Sequence, residues 1–107
     1  MIYCFDIDGT ICTMEPDHDY TKATPFRDVI DEINRLYEEG HTIRLATARG
    51  NGSGIDWKDF THTQMEGWGV QYHDLCVGKK LGADIYIDDK ALHIDQFRKK
   101  LNKKIGI

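Results

Sequence analysis

The chain has 107 residues, of which 40% are apolar and 30% charged, and its formal net charge is −4. This composition is typical of one ordinary globular domain, and the acidic balance argues against the basic surface that binds nucleic acid or an anionic membrane. No apolar stretch is long enough to span a bilayer, and Met1 leads directly into an apolar run, so we expect no signal peptide. The three cysteines lack CxxC spacing, which predicts neither a disulfide framework nor a zinc site and favours a reducing, cytosolic compartment.

The first predicted element is a strand over residues 2–7, which is apolar on both faces and therefore buried. Two carboxylates, Asp6 and Asp8, stand at its end, and a buried strand rarely accepts them unless a metal or a chemical step compensates for their desolvation. Gly9 and Thr10 then break the strand, which we expect to let backbone N–H groups approach an anion. The simpler alternative is a strand that ends in a polar turn.

Residues 11–23 mix proline, acids and threonines and predict a long loop or a short hairpin, which in so small a domain is usually functional or disordered. A helix follows, with Thr24 as its N-cap, Pro25 at its first position and Gly40 at its end. Its apolar residues recur at helical spacing on one face: Phe26, Val29, Ile30, Ile33, Leu36 and Tyr37.

The remaining elements continue the alternation of strands and helices. The apolar runs predict strands over 43–47, 75–77 and 85–87 and a second helix over about 56–68, on which Trp57, Phe60 and Trp68 partly face inward. A last helix is predicted from residues Leu92, Ile94, Phe97 and Leu101. Strands that alternate with helices predict a parallel α/β sheet with right-handed crossovers and, since we see no linker, a single domain.

Ligands of such sheets gather beyond the carboxyl ends of the strands. The residues able to do chemistry all follow a predicted strand: Asp6, Asp8, Thr47, Lys79, Lys80, Asp88 and Asp89. Several carboxylates without a convincing histidine or cysteine ligand suit a hard cation such as Mg²⁺. A lysine and a threonine hydroxyl can hold phosphate oxygens, one carboxylate can attack phosphorus, and a second can protonate the leaving oxygen and then activate water. The set predicts a phosphoryl-transfer site.

The motifs match a known superfamily in the same order. The segment Asp6-Ile7-Asp8-Gly9-Thr10 resembles the DxDGT signature of the haloacid dehalogenase (HAD) superfamily. Together with the segments that follow, the resemblance covers essentially the whole chain. Three further segments resemble the remaining motifs of that superfamily: Thr47 with its neighbours, Gly78-Lys79-Lys80, and Ile87-Asp88-Asp89-Lys90-Ala91. More narrowly, Thr47-Ala48-Arg49-Gly50 and Tyr86-Ile87-Asp88-Asp89 are similar to small phosphatases of capsular-polysaccharide biosynthesis.

The resemblance implies a three-layer, Rossmann-like domain with helices on both faces of the sheet, and it implies roles for single residues. Asp6 is the expected nucleophile and Asp8 the general acid/base, and both contribute to Mg²⁺ binding, Asp8 through its backbone carbonyl. Thr47 is expected to bind the phosphoryl oxygens. Asp89 is the preferred direct metal ligand, with Asp88 supporting it.

Two assignments stay open at this point. Counting back from Asp84 favours Lys80 as the active-site lysine, whereas the adjacent glycine favours Lys79. Arg49 is either a surface arginine at a strand end or a group that reaches the substrate.

HAD enzymes usually select substrates with a cap domain, and neither interval between the motifs is long enough to hold one. We therefore expect an open site, covered at most by the loop 11–23 or by another subunit of a homo-oligomer.

Substrate contacts are expected from the signature turn and from the rim of the sheet: Gly9, Thr10, Asp19, Tyr20, Ala48, Arg49, Asn51 and Trp57. This mixture of aromatic, amide and charged groups suits a small phosphorylated metabolite, such as a sugar or polyol phosphate. A larger phosphorylated partner, such as a nucleotide or a protein, is the alternative, and nucleic acid is the weakest candidate.

Two non-enzymatic functions compete with a phosphatase. A phospho-acceptor receiver domain also combines acids, a threonine and a lysine on a parallel sheet, but its acidic pair closes the first strand, whereas here Asp88 and Asp89 follow the last one. A scaffold that keeps the fold without turnover is the other possibility, and the intact set of motifs argues against it.

Overall fold

The computed structural model describes residues 1–17, 19–50, 54–78 and 82–87. In these residues four strands and two α-helices alternate: β1 (Ile2–Asp6), α1 (Arg27–Glu38), β2 (Thr42–Thr47), α2 (Lys58–Gly67), β3 (Asp74–Val77) and β4 (Ile85–Ile87). The strands form one sheet in the order β3-β2-β1-β4, and every neighbouring pair is parallel. The predicted parallel α/β architecture is confirmed.

Strand β1 lies inside the sheet, between β2 and β4. Its Phe5 is in register with Leu45 on one side and with Ile87 on the other. Its successive residues Cys4 and Phe5, whose side chains point to opposite faces of the sheet, are both buried. The first strand is thus a continuous apolar run because both of its faces are buried, as predicted.

Both helices lie on the same face of the sheet. The chain moves from β1 to β2 and then to β3 in one direction across the sheet, and right-handed crossovers put α1 and α2 on the same side. Hydrogen bonds between the helices agree, since Arg27 on α1 donates to the Trp68 carbonyl at 2.6 Å and Asn34 donates to that of Gly69 at 2.8 Å. The predicted last helix lies outside the described residues. In the described residues neither insertion point carries a cap domain.

The predicted start of α1 is wrong by two residues. The helix begins at Arg27 with Phe26 at its N-cap and no side-chain capping hydrogen bond. Thr24 and Pro25 are used elsewhere, because Pro25 pairs with Cys12 in an isolated antiparallel bridge and Thr24 accepts a backbone hydrogen bond from the start of the loop. The residues that signal a helix start therefore close the base of the loop instead.

The end of α1 and its apolar face are as predicted. Gly40 has a φ of 94°, and the N–H groups of Gly40 and His41 donate to the carbonyls of Tyr37 and Leu36, which forms a Schellman motif. The predicted apolar face supplies four fully or almost fully buried side chains and two that pack partly against the core: Val29, Ile30, Ile33 and Leu36, then Phe26 and Tyr37.

Helix α2 is shorter than the predicted 56–68, and its inward residues differ from expectation. Thr61 and Met65 are its fully buried side chains, whereas Trp57, Phe60 and Trp68 are only half-buried. Large aromatic side chains dominated the sequence pattern, and a small polar threonine on the inner face was not anticipated.

The loop 11–23 is held at its base and carries a short 3₁₀ helix (Tyr20–Lys22). Besides the bridge between Cys12 and Pro25, the Thr13 N–H donates to the Thr24 carbonyl at 2.9 Å. Cys4, Cys12 and Cys76 are free cysteines in this structure. Among the described residues, no helix combines the length and apolar character needed to cross a membrane.

Candidate active site

The carboxyl ends of β1 and β2 bring two of the predicted catalytic residues to one edge of the sheet. Asp6 is in register with Ala46, so Thr47 follows one residue further along the same edge. Thr47 is in turn in register with Val77 of β3, and its carbonyl accepts a 2.7 Å hydrogen bond from the Gly78 N–H. The three strand ends are therefore fixed relative to one another by backbone hydrogen bonds.

Five predicted site residues lie outside the described residues: Asn51, Lys79, Lys80, Asp88 and Asp89. The choice between the two lysines and the choice between the two aspartates stay as the sequence left them. The last described residue of β4, Ile87, is in register with Phe5, one residue before Asp6.

The turn after β1 is closed by its own backbone groups. Gly9 has a φ of 87°, and its N–H donates to the Cys12 carbonyl at 2.8 Å. The N–H groups of Thr10 and Ile11 both donate to the Ile7 carbonyl, at 3.1 and 2.8 Å. The turn therefore uses the N–H groups of Gly9 and Thr10 itself, and the approach of other backbone N–H groups to an anion stays a prediction. The Thr10 hydroxyl is fully buried and has no hydrogen-bond partner among the described residues.

Asp8 is held by a buried arginine. Nε of Arg49 donates to one Asp8 carboxylate oxygen at 3.0 Å and Nη2 donates to the other at 2.9 Å, which is a bidentate ion pair. The Arg49 side chain is 0% exposed and that of Asp8 17% exposed. A pair this well enclosed fixes the plane of the carboxylate, because guanidinium and carboxylate groups are both flat and share two hydrogen bonds.

Three further groups surround the Arg49 guanidinium. Its Nη1 donates to Gln64 Oε1 at 2.8 Å and to Thr61 Oγ1 at 3.3 Å, and both acceptors belong to α2. The Tyr20 ring lies over the guanidinium at 4.5 Å from its centroid, a cation–π contact. Each guanidinium nitrogen thus has an acceptor, as a buried charge requires. The reading of Arg49 as a surface arginine is wrong, and its contact with substrate stays a prediction.

The Thr47 side chain is buried and oriented by the backbone that follows it. Its Oγ1 accepts a 3.1 Å hydrogen bond from the Arg49 N–H. A hydroxyl that accepts in this way keeps its own hydrogen for another acceptor. The geometry is compatible with the predicted role of Thr47 toward a phosphoryl oxygen.

An aromatic group stands beside the ion pair. The rings of Tyr20 and Trp57 meet edge to face at 4.9 Å, and Trp57 meets Phe60 in the same way at 5.3 Å. Burial, followed by the negative charge of Asp8, raises the pKa of the Tyr20 hydroxyl, which therefore stays neutral at physiological pH. Tyr20 thus contacts both Trp57 and the buried Arg49, and a substrate contact of any of the three stays a prediction.

Two other predicted rim residues differ in their surroundings. Asp19 caps the 3₁₀ helix by accepting from the Thr21 N–H at 3.1 Å, and hydrogen bonds from Thr21 lower the pKa of its carboxyl group. Ala48 is exposed directly after β2. A contact between either residue and a substrate stays a prediction.

A buried thiol touches the ion pair. Cys12 Sγ lies 3.6 Å from Asp8 Oδ1 and 4.0 Å from Arg49 Nη2. Burial, reinforced by the negative charge of Asp8, raises the pKa of Cys12 to about 12. The thiol is therefore protonated at physiological pH and acts as a packing group and weak donor, not as a nucleophile.

The donor atoms at this edge suit a hard cation. Asp6 has a carboxylate at the end of β1, whereas the Asp8 carboxylate is engaged by Arg49, so that the backbone carbonyl is the Asp8 group left for a metal. The ligand role of both residues stays a prediction. All these donors are oxygens, the ligands that Mg²⁺ prefers. Within the described ranges no group of three or more acidic, histidine or cysteine side chains forms a complete metal site, and the remaining predicted ligand, Asp89, is outside them.

The sequence did not indicate Thr61 or Gln64 as part of the site. They stand three residues apart and so share one face of α2. A threonine at an inward position of a helix with a glutamine one turn later was the available signal, although it identifies no partner by itself.

No protein-family model matches the chain, and no curated protein matches it either. Among solved structures, a structural-genomics target from Vibrio cholerae has a TM-score of 0.70 at 27% identity, covering 98% of this chain and 99% of that one. D,D-heptose 1,7-bisphosphate phosphatase from B. bronchiseptica, solved with magnesium and phosphate, has a TM-score of 0.55 at 16% identity, covering 99% of this chain and 64% of its own. The chain therefore shares the α/β, Rossmann-like fold of that phosphatase.

Proposed function

We propose that the protein is a Mg²⁺-dependent phosphatase that hydrolyses a phosphomonoester through an aspartyl-phosphate. One observation carries the proposal: the Asp8 carboxylate, two residues beyond Asp6 at the carboxyl edge of the sheet, is fixed by a wholly buried Arg49. Burial of an arginine costs desolvation free energy even when all its nitrogens are hydrogen-bonded, so we expect the carboxylate that it orients to take part in the reaction. The HAD-like fold and the DxDGT segment support the same reaction.

The reaction uses two carboxylates in sequence. An Asp6 oxygen attacks phosphorus, and the bond from phosphorus to the leaving oxygen breaks. In the substrate complex Asp8 carries a proton on one carboxyl oxygen, whose other lone pair still accepts from Arg49, and it gives that proton to the leaving oxygen, which departs as an alcohol. Asp8, now a carboxylate, takes a proton from water as the water oxygen attacks phosphorus. The bond between phosphorus and Asp6 breaks, and inorganic phosphate leaves with Asp6 and Asp8 in their starting states. The Thr47 hydroxyl hydrogen-bonds a phosphoryl oxygen during both steps.

Mg²⁺ would be held by Asp6, the Asp8 backbone carbonyl and Asp89, with Asp88 in support. When bound, it supplies charge neutralisation for the phosphate and for the clustered carboxylates. Lys79 or Lys80 would add a further positive charge beside Asp6.

The proposed substrate is a sugar or polyol phosphate. Without a cap domain, selection depends on the rim, where the edge-to-face pair of Tyr20 and Trp57 offers aromatic surface for the apolar face of a ring. The Asp19 carboxylate and the Asn51 amide would serve the hydroxyl groups. This class agrees with the sequence resemblance to phosphatases of capsular-polysaccharide biosynthesis.

The test is a hydrolysis screen over sugar phosphates, polyol phosphates, nucleotides and phosphopeptides, each with Mg²⁺ and with EDTA. We expect turnover only with Mg²⁺, restored when Mg²⁺ replaces EDTA, with the highest kcat/KM on a sugar or polyol phosphate. Undiminished activity in EDTA, or rescue by Zn²⁺ alone, would contradict the metal site. If phosphopeptides or nucleotides exceed every small metabolite by about tenfold, which is 1.4 kcal/mol of transition-state binding, the substrate class is wrong while the reaction stands.

A further inference from the structure

Gln64 connects two parts of the site that are far apart in the sequence. Its Oε1 accepts the 2.8 Å hydrogen bond from Arg49 Nη1, and its Nε2 donates to the Tyr20 backbone carbonyl at 2.8 Å. The amide thus uses its acceptor on the guanidinium and its donor on the 3₁₀ helix of the loop 11–23. Both bonds lie within ordinary hydrogen-bond distance.

The contacts of Gln64 restrict the motion of Arg49. A guanidinium bound to a carboxylate by two hydrogen bonds can turn only if the carboxylate turns with it. Arg49 is held at its remaining nitrogen by Gln64 and more weakly by Thr61, and its face is covered by the Tyr20 ring. The Asp8 carboxylate can therefore rotate freely only after these contacts break.

We propose that Gln64 is a positioning residue of the reaction, which fixes Arg49 and through it the direction of the Asp8 carboxyl group. The inference rests on the proposed function, because it assigns Gln64 to the proton-transfer step in which Asp8 serves the leaving oxygen. Gln64 itself touches no reacting atom. Its effect should therefore depend on how much the leaving group needs a proton.

Leaving groups differ in that need. The oxygen of an alkyl phosphate leaves as an alkoxide unless a general acid protonates it, whereas a nitrophenolate oxygen carries its charge without help. A general acid typically contributes 10²–10⁴-fold, and a misdirected one loses part of that factor. A purely structural defect would lower the hydrolysis of both substrates to the same extent.

The experiment compares Gln64→Met with wild type on glycerol phosphate and on p-nitrophenyl phosphate, with Mg²⁺ present. We expect kcat/KM for glycerol phosphate to fall by at least about tenfold and that for p-nitrophenyl phosphate by less than about threefold. The quantity kcat/KM includes the step in which the leaving group departs and excludes the later attack of water, which both substrates share.

Gln64→Glu separates the two hydrogen bonds of Gln64. The glutamate keeps an acceptor for Arg49 Nη1 and loses the donor to the Tyr20 carbonyl, so we expect it to recover most of the glycerol phosphate activity. Gln71→Met is the matched control, because the Gln71 side chain is also half-buried and donates to Glu38 at 3.0 Å without touching Arg49 or Asp8. It should leave both activities unchanged.

The outcomes distinguish this inference from the proposed function. If wild type hydrolyses neither compound nor any member of the screen, the phosphatase proposal fails and the role of Gln64 fails with it. If wild type hydrolyses both and Gln64→Met lowers both equally or neither, or Gln64→Glu is as weak as Gln64→Met, only the positioning role is wrong. Circular dichroism of each variant establishes that it is folded.

Discussion

The two α-helices of the described part of the chain lie on the same face of the sheet but bury different chemistry. Helix α1 buries an apolar face, and its one buried charged residue, Glu32, is bound by Arg35 of the same helix at 2.9 and 2.8 Å. Helix α2 buries Thr61 and Met65, and it turns the polar groups of Thr61 and Gln64 toward Arg49. The buried charge of α1 is neutralised within the helix, whereas α2 supplies hydrogen-bond acceptors to Arg49, which follows β2.

This difference assigns different consequences to mutations on the two helices. Each large apolar side chain that α1 removes from water contributes about 1.5–3 kcal/mol to the free energy of folding. The polar groups of α2 bury less apolar area and so contribute less to stability, but they complete the hydrogen bonding of the buried arginine that orients Asp8. We therefore expect changes on α1 to alter stability and changes around α2 to alter turnover.

The largest effect is expected at the nucleophile. Asp6→Asn removes the attacking carboxylate and should lower kcat/KM by at least about 10⁴-fold while the protein stays folded. Asp31→Asn on α1 is the control, because Asp31 is exposed and its ion pair with Arg27, at 3.7 Å, is worth little. Activity of Asp6→Asn above about a tenth of wild type would reject the assignment, once kinetic assays exclude contaminating phosphatase.

The next effect tests the two arginines against each other. Arg49→Lys replaces the bidentate fork with a single point charge, so we expect kcat/KM to fall by about tenfold to hundredfold. Arg35→Lys makes the same substitution in an ion pair of α1 and should change kcat/KM by less than about twofold. Steady-state kinetics on one substrate measure both. Equal losses of kcat/KM in the two variants would show that the arginine bound by α2 matters no more for turnover than the arginine on α1.

The third effect belongs to α1. Ile33 is completely buried, so Ile33→Ala should lower the free energy of unfolding by about 2–5 kcal/mol through lost burial and the cavity left behind. Activity per folded molecule should be unchanged. Urea denaturation measures the stability, and Thr63→Ala, at an exposed position of α2, is the control, with an expected change within about 0.5 kcal/mol. A loss of turnover at full folding would place α1 in the site after all.

The features predicted from the sequence are those that depend on near neighbours. The apolar face of α1 repeats every three or four residues and the strands are short apolar runs, so both could be recognised without knowing any tertiary contact. The parallel pairing of the strands followed from their alternation with helices. The start of α1 was missed because the Cys12–Pro25 bridge, a tertiary contact, uses the residues that usually cap a helix.

The polar network around Arg49 could not be predicted in the same way. Its hydrogen bonds join residues that are 41, 15 and 44 positions apart, from Asp8 to Arg49, from Arg49 to Gln64 and from Tyr20 to Gln64. No periodicity connects such positions, and a glutamine on a helix gives no sign of its partner. The same holds for the turn after β1, where Gly9 suggested an open anion site but its N–H is used within the turn.

A smaller effect is expected at the glycine that connects β2 to α2. Gly50 has a φ of 88°, and a Cβ added there would overlap the Ile55 carbonyl oxygen and lie 3.2 Å from Trp57 Cδ1. Gly50→Ala should therefore destabilise the fold by about 1–3 kcal/mol and raise KM, because Trp57 must move. Gly40→Ala is the matched control at the end of α1: its φ is 94°, but a Cβ there meets nothing within 4 Å. The difference between the two variants in thermal unfolding isolates the steric overlap from the backbone strain, and equal behaviour would argue against a tight connection.

The smallest effect concerns the Cys12 thiol between Asp8 and Arg49. Burial, and then the charge of Asp8, raises its pKa from the ordinary 9.0 to about 12. Below about pH 8 the thiol is protonated in both the folded and the unfolded chain, so it adds no pH dependence. Between pH 9 and 12 the unfolded chain loses this proton while the folded chain keeps it, so the free energy of unfolding must fall as pH rises. Cys12→Ala removes that contribution, and urea denaturation at several pH values should show its stability falling less steeply than that of wild type in this range, with a constant difference below pH 8. Parallel curves up to pH 12 would mean that the thiol is solvated, and the packing of the loop 11–23 against the ion pair would then be looser than the contacts of Cys12 indicate.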